Sequence, residues 1–206
     1  MKYKKNLFIS FEGPEASGKS SQINLLSLFL KKKKIPHIIS REPGGTKIAE
    51  KLRKIILSKK LNISNTEEIL LLMASRINHI NSVIKPALKQ GKIVISDRFA
   101  DSTFVYQGYV NKYGLNKLTK LHKEILNNFL PTKTFLLLLS PIEINKRLKM
   151  RKISNKYDLI NHNFHKEVIK GYKILSKNNK RFVILKADQP KNVIHKKIIE
   201  NIFVLK

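Results

Sequence analysis

Short apolar runs alternate with amphipathic helical patterns along this chain, and the alternation predicts its fold. The runs are four or five residues long, the length of buried strands, and they cover 7–11, 37–40, 93–96, 135–139 and 182–185. Apolar residues between them recur at spacings of three and four, which is typical of helices. The helical patterns follow the first run and then cover about 46–58, 64–86, 115–128, 140–148, 164–177 and the residues from 191 onward. A strand–helix alternation predicts an α/β fold, a parallel sheet with helices on both faces.

Local signals sharpen some of these bounds. Ser64 and Glu67 form the two ends of a capping-box pattern, and Ser140 followed by Pro141 is a second helix start. Pro86 is expected to kink or restart the helix that reaches it. The helix over 46–58 is expected to present one apolar face: Ile48, Leu52, Ile55 and Ile56.

The first strand leads into a glycine-bounded loop that predicts a nucleotide-binding site. Residues 13–20 read Gly-Pro-Glu-Ala-Ser-Gly-Lys-Ser, the spacing of a P-loop. Glycines let backbone N–H groups turn toward phosphate oxygens, and the following helix adds the positive end of its dipole. Lys19 is expected to neutralise the β- and γ-phosphates, and the Ser20 hydroxyl to ligate Mg²⁺. The predicted nucleotide-binding residues are Gly13, Pro14, Glu15, Ala16, Ser17, Gly18, Lys19, Ser20 and Ser21.

Polar residues also follow three other predicted strands. Arg41, the pair Asp97–Arg98 and the loop near residue 187 all come directly after apolar runs. Ligands of open α/β sheets gather at the carboxyl ends of the strands, so these residues are expected to share a cleft with the P-loop. Asp97 is placed to reach Mg²⁺ directly or through water, the alternative being a loop cap.

The charge is far from balanced, with 42 Lys+Arg against 14 Asp+Glu and a formal net charge of +28. A nucleic-acid or membrane-surface binder is one interpretation. A lysine-rich composition spread over solvent-facing positions is the other, and we favour it because no basic stripe with interleaved aromatics and no recognition-helix motif is present. We therefore expect no specific nucleic-acid partner. No apolar run is long enough to span a bilayer, and the absence of Cys fits a reducing compartment, which makes the cytoplasm the simplest location.

Four motifs together resemble the thymidylate kinase (dTMP kinase) family, and the similarity extends from the first strand to the last helix. They are 11–20 (FEGPEASGKS), 41–46 (REPGGT), 97–99 (DRF) and 101–108 (DSTFVYQG). The P-loop alone indicates only an NTPase or kinase, whereas the other three motifs are far more specific. The resemblance implies transfer of the γ-phosphate of ATP to dTMP, giving dTDP, with Mg²⁺. It further implies a P-loop nucleoside monophosphate kinase fold with a five-stranded parallel sheet, one domain over 1–206 with a small lid at about 149–160, and a homodimer.

The acceptor site follows from chemistry and from the resemblance. A nucleoside monophosphate already carries an oxyanion nucleophile, so its kinase needs positive charge rather than a strong base. Arg41, Arg53 and Arg98 lie beside the predicted cleft, and the resemblance assigns them to the acceptor phosphate. It also implies that Glu15 faces the sugar 3′-hydroxyl and that Tyr106 lies under the deoxyribose. The thymine contacts it implies are Thr103, Gln107, Arg76 and Met73, the last at a position where the family normally has a stacked Phe or Tyr.

The lid indicates the subtype. Ala16 stands where some thymidylate kinases carry a catalytic arginine, and the basic groups are instead Lys149, Arg151, Lys152 and Lys156. This distribution is similar to that of the bacterial branch. Arg151 is predicted to stabilise the transferring phosphoryl group, so the predicted catalytic residues are Lys19, Arg98 and Arg151.

Two alternatives remain open at this point. The nearer is a kinase of the same architecture that acts on another nucleoside or nucleotide. The farther is a P-loop nucleic-acid-binding ATPase, which the charge suggests. ATP turnover that depends on dTMP or on DNA separates them.

Overall fold

The computed structural model describes residues 2–3, 6–58, 60–150 and 162–204. Its centre is a five-stranded sheet whose strands all run parallel in the spatial order β3-β4-β2-β5-β6. These strands are β2 (Phe8–Glu12), β3 (His37–Arg41), β4 (Ile93–Asp97), β5 (Lys133–Leu138) and β6 (Phe182–Lys186). The predicted α/β class and five-stranded parallel sheet are confirmed. A two-stranded antiparallel sheet, which the sequence did not predict, pairs β1 (Lys2–Tyr3) with β7 (Phe203–Val204).

Helices connect the strands and follow the predicted order. They are α1 (Lys19–Lys32), α2 (Lys47–Ile56), α3 (Asn65–His79), α4 (Lys85–Lys89), α5 (Ala100–Thr103), α6 (Leu115–Leu126), α7 (Pro141–Lys149), α8 (His162–Ser176) and α9 (Lys191–Ile202). The predicted capping box of α3 is present: the Glu67 N–H donates to Ser64 Oγ at 3.2 Å, and the Ser64 N–H donates to Glu67 Oε2 at 2.7 Å. Two orphan backbone donors at the helix start are thereby satisfied.

Two helical segments have π geometry, which sequence spacing did not predict. Ile80–Ile84 joins α3 to α4, and Pro86 lies in the first turn of α4, directly after this π-helical segment. Phe104–Val110 continues α5 through the 101–108 motif, for which no helix was predicted. Widened turns of this kind occur frequently at functional sites.

The predicted apolar face of α2 is only partly correct. Ala49 and Ile56 are buried, while Ile48 is 57% exposed and Ile55 is 38% exposed. The helix packs against α3 through the stripe that contains Ala49 and Ile56, and the neighbouring stripe points to solvent. The spacing of the apolar residues identified an amphipathic helix. Contact with α3 determined which stripe of that helix is buried.

The core lies on both faces of the sheet. On one face, β2 and β5 pack against α1 and α9 through residues such as Phe11, Leu26, Phe135 and Ile198. On the other face, Phe8 and residues of α3 and the π-helical turns form a second cluster. Both layers leave the carboxyl edge of the sheet uncovered, and the functional residues lie there. Among the described helices, none is long and apolar enough to cross a membrane.

Candidate active site

A cavity of about 530 Å³ opens at the carboxyl edge of the sheet, between the P-loop and α3. Pockets of this size suit a nucleotide-sized ligand. Most of the predicted site residues line it: Glu15, Ala16, Ser17, Gly18, Lys19, Ser20, Ser21, Arg41, Arg53, Arg76, Asp97, Arg98, Thr103, Tyr106 and Gln107. The loops after β2, β3 and β4 thus share one cleft, as expected, whereas the loop near residue 187 does not line this cavity.

The P-loop between β2 and α1 is shaped by its two glycines. Gly13 has φ +135°, and a Cβ added there would lie 2.2 Å from the Leu137 carbonyl oxygen, so only glycine fits. Gly18 caps α1 in a left-handed conformation, φ 89°. The Lys19 ammonium folds back and donates to the carbonyls of Gly13 at 3.0 Å and Pro14 at 2.8 Å. Burial and the nearby charge of Arg98 lower the pKa of Lys19 to about 8.

Two oxygen ligands for a hard cation meet beside the loop. Ser20 Oγ donates to Asp97 Oδ2 at 3.1 Å, which joins the first turn of α1 to the end of β4. Mg²⁺ prefers oxygen donors and keeps several of its waters, so a hydroxyl and one carboxylate are a suitable protein contribution. The predicted metal residues therefore fit the ion by chemistry and by proximity.

Arg98 is held from two sides within the cleft. Its Nη2 donates to Glu15 Oε1 at 2.9 Å, and Tyr106 OH donates to the same carboxylate at 2.8–2.9 Å. The guanidinium carbon lies 5.3 Å from the centre of the Tyr106 ring. Burial raises the pKa of Tyr106 well above its usual value, so this hydroxyl stays protonated and remains a donor.

Arg76 is buried at the opposite end of the cleft and is fixed by an acid that sequence reasoning did not assign. Its Nε donates to Glu42 Oε2 at 2.7 Å, and its Nη2 donates to Thr103 Oγ1 at 2.7 Å. The other oxygen of Glu42 lies 3.0 Å from His79 Nδ1. Glu42 thus orients the guanidinium of Arg76 toward Thr103, and its place inside the 41–46 motif was the available signal.

The residues at this end include a correction to the predicted contacts. Leu72 lines the cavity, whereas Met73 does not line it and is 2% exposed within the core. Met73 Sδ lies 3.9 Å from Arg76 Nη1. Successive helical residues point about 100° apart, so only one of the two neighbours can face the cleft. Gln107 Nε2 donates to Glu68 Oε1 at 3.1 Å, which fixes the Gln107 amide with a second unassigned acid.

Arg41 and Arg53 lie at the rim. Arg41 is exposed and forms an ion pair of 3.0 Å with Glu50 of α2. Arg53 Nη1 donates to the Pro43 carbonyl at 2.7 Å, and burial together with Arg41 lowers its pKa. These contacts keep two cations at one rim, where an anionic ligand would be attracted.

A further cation, which the sequence did not single out, joins the P-loop to the loop after β6. Arg147 of α7 donates to the carbonyls of Ala16 at 3.3 Å and Ala187 at 3.2 Å, and it pairs with Glu143 at 3.0 Å. The loop near residue 187 was predicted to lie near the P-loop, and Arg147 contacts both segments. Lys149 ends α7 and is exposed. The other predicted lid cations, Arg151, Lys152 and Lys156, lie outside the described residues.

Comparisons with known proteins agree with this geometry. A family model described as thymidylate kinase matches residues 11–198. The chain is 39% identical over 197 residues to a thymidylate kinase of Thermoanaerobacter sp., covering 95% of this chain and 97% of that protein. It is 40% identical over 187 residues to a thymidylate kinase of Rickettsia bellii, covering 90% of each. The crystal structure of thymidylate kinase from Ehrlichia chaffeensis superposes with a TM-score of 0.76 at 30% identity, covering 96% of this chain and 98% of that one.

Proposed function

This chain belongs to the thymidylate kinase family and phosphorylates dTMP to dTDP with ATP, and we propose from that premise how its cleft residues act. The observation that carries the proposal is the convergence of Lys19, Arg98 and Asp97 on one cavity at the carboxyl edge of the sheet. A P-loop lysine and an arginine on one cavity support this proposal, because transfer requires two phosphates to be held in line.

The chemistry needs charge neutralisation and alignment. The acceptor phosphate is itself the nucleophile, so Lys19 and Arg98 act by holding two anions in line and by stabilising the charge of the transferring group. Before substrate binds, Lys19 donates to loop carbonyls and Arg98 pairs with Glu15. Substrate phosphates replace or share these partners, so neither cation is buried without compensation. Arg41 and Arg53 supply further positive charge at the rim.

We propose Mg²⁺ as the cofactor, held by Ser20 and Asp97. When bound, the ion supplies neutralisation of the ATP phosphates. Ser20 and Asp97 hold their oxygens together across the gap between α1 and β4, which keeps both oriented toward the P-loop.

We propose that the thymine base is bound by Arg76, Thr103 and Gln107. Each of the three is fixed by a neighbour, Arg76 by Glu42, Thr103 by Arg76, and Gln107 by Glu68. Pre-oriented polar groups discriminate strongly against a base that leaves them unpaired. Leu72 takes the apolar wall position in this proposal, and Met73 supports Arg76 from the core.

The transition-state cation is proposed to be Arg151. Arg147 is proposed to serve ATP instead, because its carbonyl contacts place it between the P-loop and the loop after β6. Glu15 is proposed to accept from the sugar 3′-hydroxyl, and Tyr106 to pack beneath the deoxyribose.

A coupled ADP-release assay across a panel of nucleoside monophosphates tests the substrate assignment. We expect turnover with dTMP to exceed that with dCMP, dAMP and dGMP by at least about 10³-fold, because unpaired polar groups reject the wrong base. Comparable turnover with another monophosphate would establish the same-fold alternative. Turnover stimulated by DNA in the absence of any monophosphate would establish the nucleic-acid alternative.

We propose that the enzyme is a homodimer and that it works in the cytoplasm. Two pairs of apolar side chains with i, i+7 spacing are exposed on adjacent helices, Ile48 and Ile55 on α2 and Leu70 and Ile77 on α3. Large exposed apolar patches mark interaction sites, so we propose these side chains as the dimer contact. Sedimentation analysis of the Leu70→Lys variant tests the dimer: we expect a monomer, and an unchanged mass would exclude this face. The absence of Cys supports a reducing compartment.

A further inference from the structure

Tyr172 connects α8 to the phosphate end of the acceptor site, although it does not line the cavity. It is fully buried, and its hydroxyl donates to Glu12 Oε2 at 2.9 Å. The same hydroxyl lies 3.0 Å from Ser102 Oγ and accepts from Arg98 Nη1 at 3.4 Å. The hydroxyl of Tyr172 therefore contacts three residues of one hydrogen-bond network, namely Glu12, Ser102 and Arg98.

Glu12 is the centre of this network. It is fully buried, and it accepts from the Phe99 N–H at 2.7 Å, from Ser102 Oγ at 2.6 Å and from Tyr172 OH at 2.9 Å. Burial and the charge of Asp101 raise the pKa of Glu12 to about 7. In its ionised form the carboxylate is an acceptor only, and each hydroxyl then directs its single proton toward Glu12. The lone pairs of both hydroxyl oxygens are then turned toward Arg98, whose Nη1 donates to Ser102 Oγ at 2.9 Å.

Both the backbone and the side chain of Arg98 are held by hydrogen bonds: its N–H donates to the Phe11 carbonyl at 3.0 Å, and its carbonyl accepts from Ser96 Oγ at 2.7 Å. The φ of Arg98 is 69°, in the left-handed region that residues with a side chain seldom adopt, and that conformation persists only where surrounding contacts fix it. Glu15 holds Nη2, while Ser102 and Tyr172 hold Nη1. The orientation of the guanidinium is thus determined from both of its terminal nitrogens.

We propose that Tyr172, together with Ser102 and the buried Glu12, is a positioning residue that orients Arg98 toward the acceptor phosphate. The inference rests on the proposed role of Arg98. It gives α8, the helix that begins directly after residues 151–161, a direct connection to the acceptor site. Tyr172 acts only through Arg98 and does not touch the substrate.

Calorimetric binding of dTMP and of thymidine to the Tyr172→Phe variant tests the proposal, because thymidine lacks the phosphate that Arg98 would hold. We expect dTMP affinity to fall about tenfold and thymidine affinity to stay within about twofold, since a lost hydrogen bond to a charged group affects only the phosphate contact. Tyr113→Phe is the matched control, because its ring lies beside Lys117 and outside this network. It should change neither affinity. Equal losses for both ligands in Tyr172→Phe would reduce Tyr172 to a packing role and overturn the proposal.

A double-mutant cycle with Arg98→Ala separates the positioning role of Tyr172 from the role of Arg98 itself. We expect Tyr172→Phe to lower kcat/KM for dTMP about tenfold in the wild-type background and to have no effect when Arg98 is Ala. Additive losses would overturn the positioning role alone. A wild-type-like Arg98→Ala enzyme would remove the proposed role of Arg98 and this inference with it. Should Tyr172→Phe fail to fold, Ser102→Ala must show the same non-additivity, and its absence would contradict the proposal.

Discussion

The guanidinium of Arg98 donates a 2.9 Å hydrogen bond to the carboxylate of Glu15, across 83 residues of sequence. Glu15 lies inside the P-loop, where an acid would otherwise repel phosphate. The ion pair is only partly exposed on the arginine side and nearly buried on the acid side, so it is not a simple surface contact. The negative charge of Glu15 in the P-loop is thereby compensated by Arg98, the arginine proposed to bind the acceptor phosphate.

Replacing Glu15 by Gln tests the sugar contact. We expect kcat/KM for dTMP to fall at least about tenfold, because a charged acceptor for the 3′-hydroxyl is lost. The 3′-deoxy analogue of dTMP should lose much less, since it has no hydroxyl to donate. Steady-state kinetics with the two acceptors at saturating ATP give the comparison. Equal losses would place Glu15 away from the sugar.

Lys19→Ala should abolish phosphoryl transfer while the protein stays folded. Within the described part of the chain, the ammonium donates its hydrogen bonds to oxygens of its own loop, so its removal is expected to leave the sheet and both core layers intact. Lys32→Ala, an exposed lysine near the end of α1, is the control of equal charge change and should retain full activity. Turnover and thermal unfolding are measured for both variants, which shows whether Lys19→Ala is inactive while folded. A folded Lys19→Ala enzyme with normal turnover would remove the P-loop lysine from the mechanism.

The substitutions Arg151→Ala and Arg147→Ala are expected to change different kinetic constants. Arg151→Ala should lower kcat about 10³-fold with a smaller change in KM, because a transition-state cation acts on charge that develops during transfer. Arg147→Ala should mainly raise the KM for ATP, since Arg147 joins the P-loop to the loop after β6. Ala16→Arg should partly restore the Arg151→Ala enzyme by supplying a cation from the P-loop. A loss below about threefold in Arg151→Ala, with Lys149→Ala or Lys156→Ala inactive, would contradict the assignment of Arg151.

Neighbouring substitutions on α3 test which residue faces thymine. Leu72→Phe should lower the KM for dTMP several-fold, because a ring stacked on a base is worth about 1–3 kcal/mol. Met73→Phe should not lower that KM and should lower the melting temperature, since overpacking a filled core costs about 1–3 kcal/mol. The reverse pattern of KM values would return the thymine contact to Met73.

His122 is expected to make stability depend on pH. Among the described residues neither ring nitrogen has a hydrogen-bond partner, and burial lowers its pKa to about 3. A lowered pKa in the folded state means that the unfolded chain binds the proton more readily, so stability is lost as pH falls from about 6.5 toward 3. His122→Phe should remove this loss. Melting temperatures at pH 7 and pH 5 should differ less in the variant than in the wild type, and an equal difference would exclude His122 as a source.

Local signals were sufficient for much of the architecture. The P-loop, the five strands and the capping box at Ser64 depend on residues close in sequence, so the sequence alone predicts each of them. Their physics is short-ranged: glycine supplies backbone freedom, a serine hydroxyl satisfies nearby N–H groups, and apolar runs of strand length must be covered.

The sequence by itself determined the fold class, the P-loop motif and the motifs that indicate the family. Tertiary packing alone decided that Leu72 rather than Met73 lines the cleft and that Ile48 faces solvent, because periodicity defines a stripe on a helix but not what covers it. It likewise decided that Glu12 and Tyr172 support Arg98. Those three residues come from β2, α8 and the end of β4, and no local pattern encodes a hydrogen bond between side chains 160 residues apart.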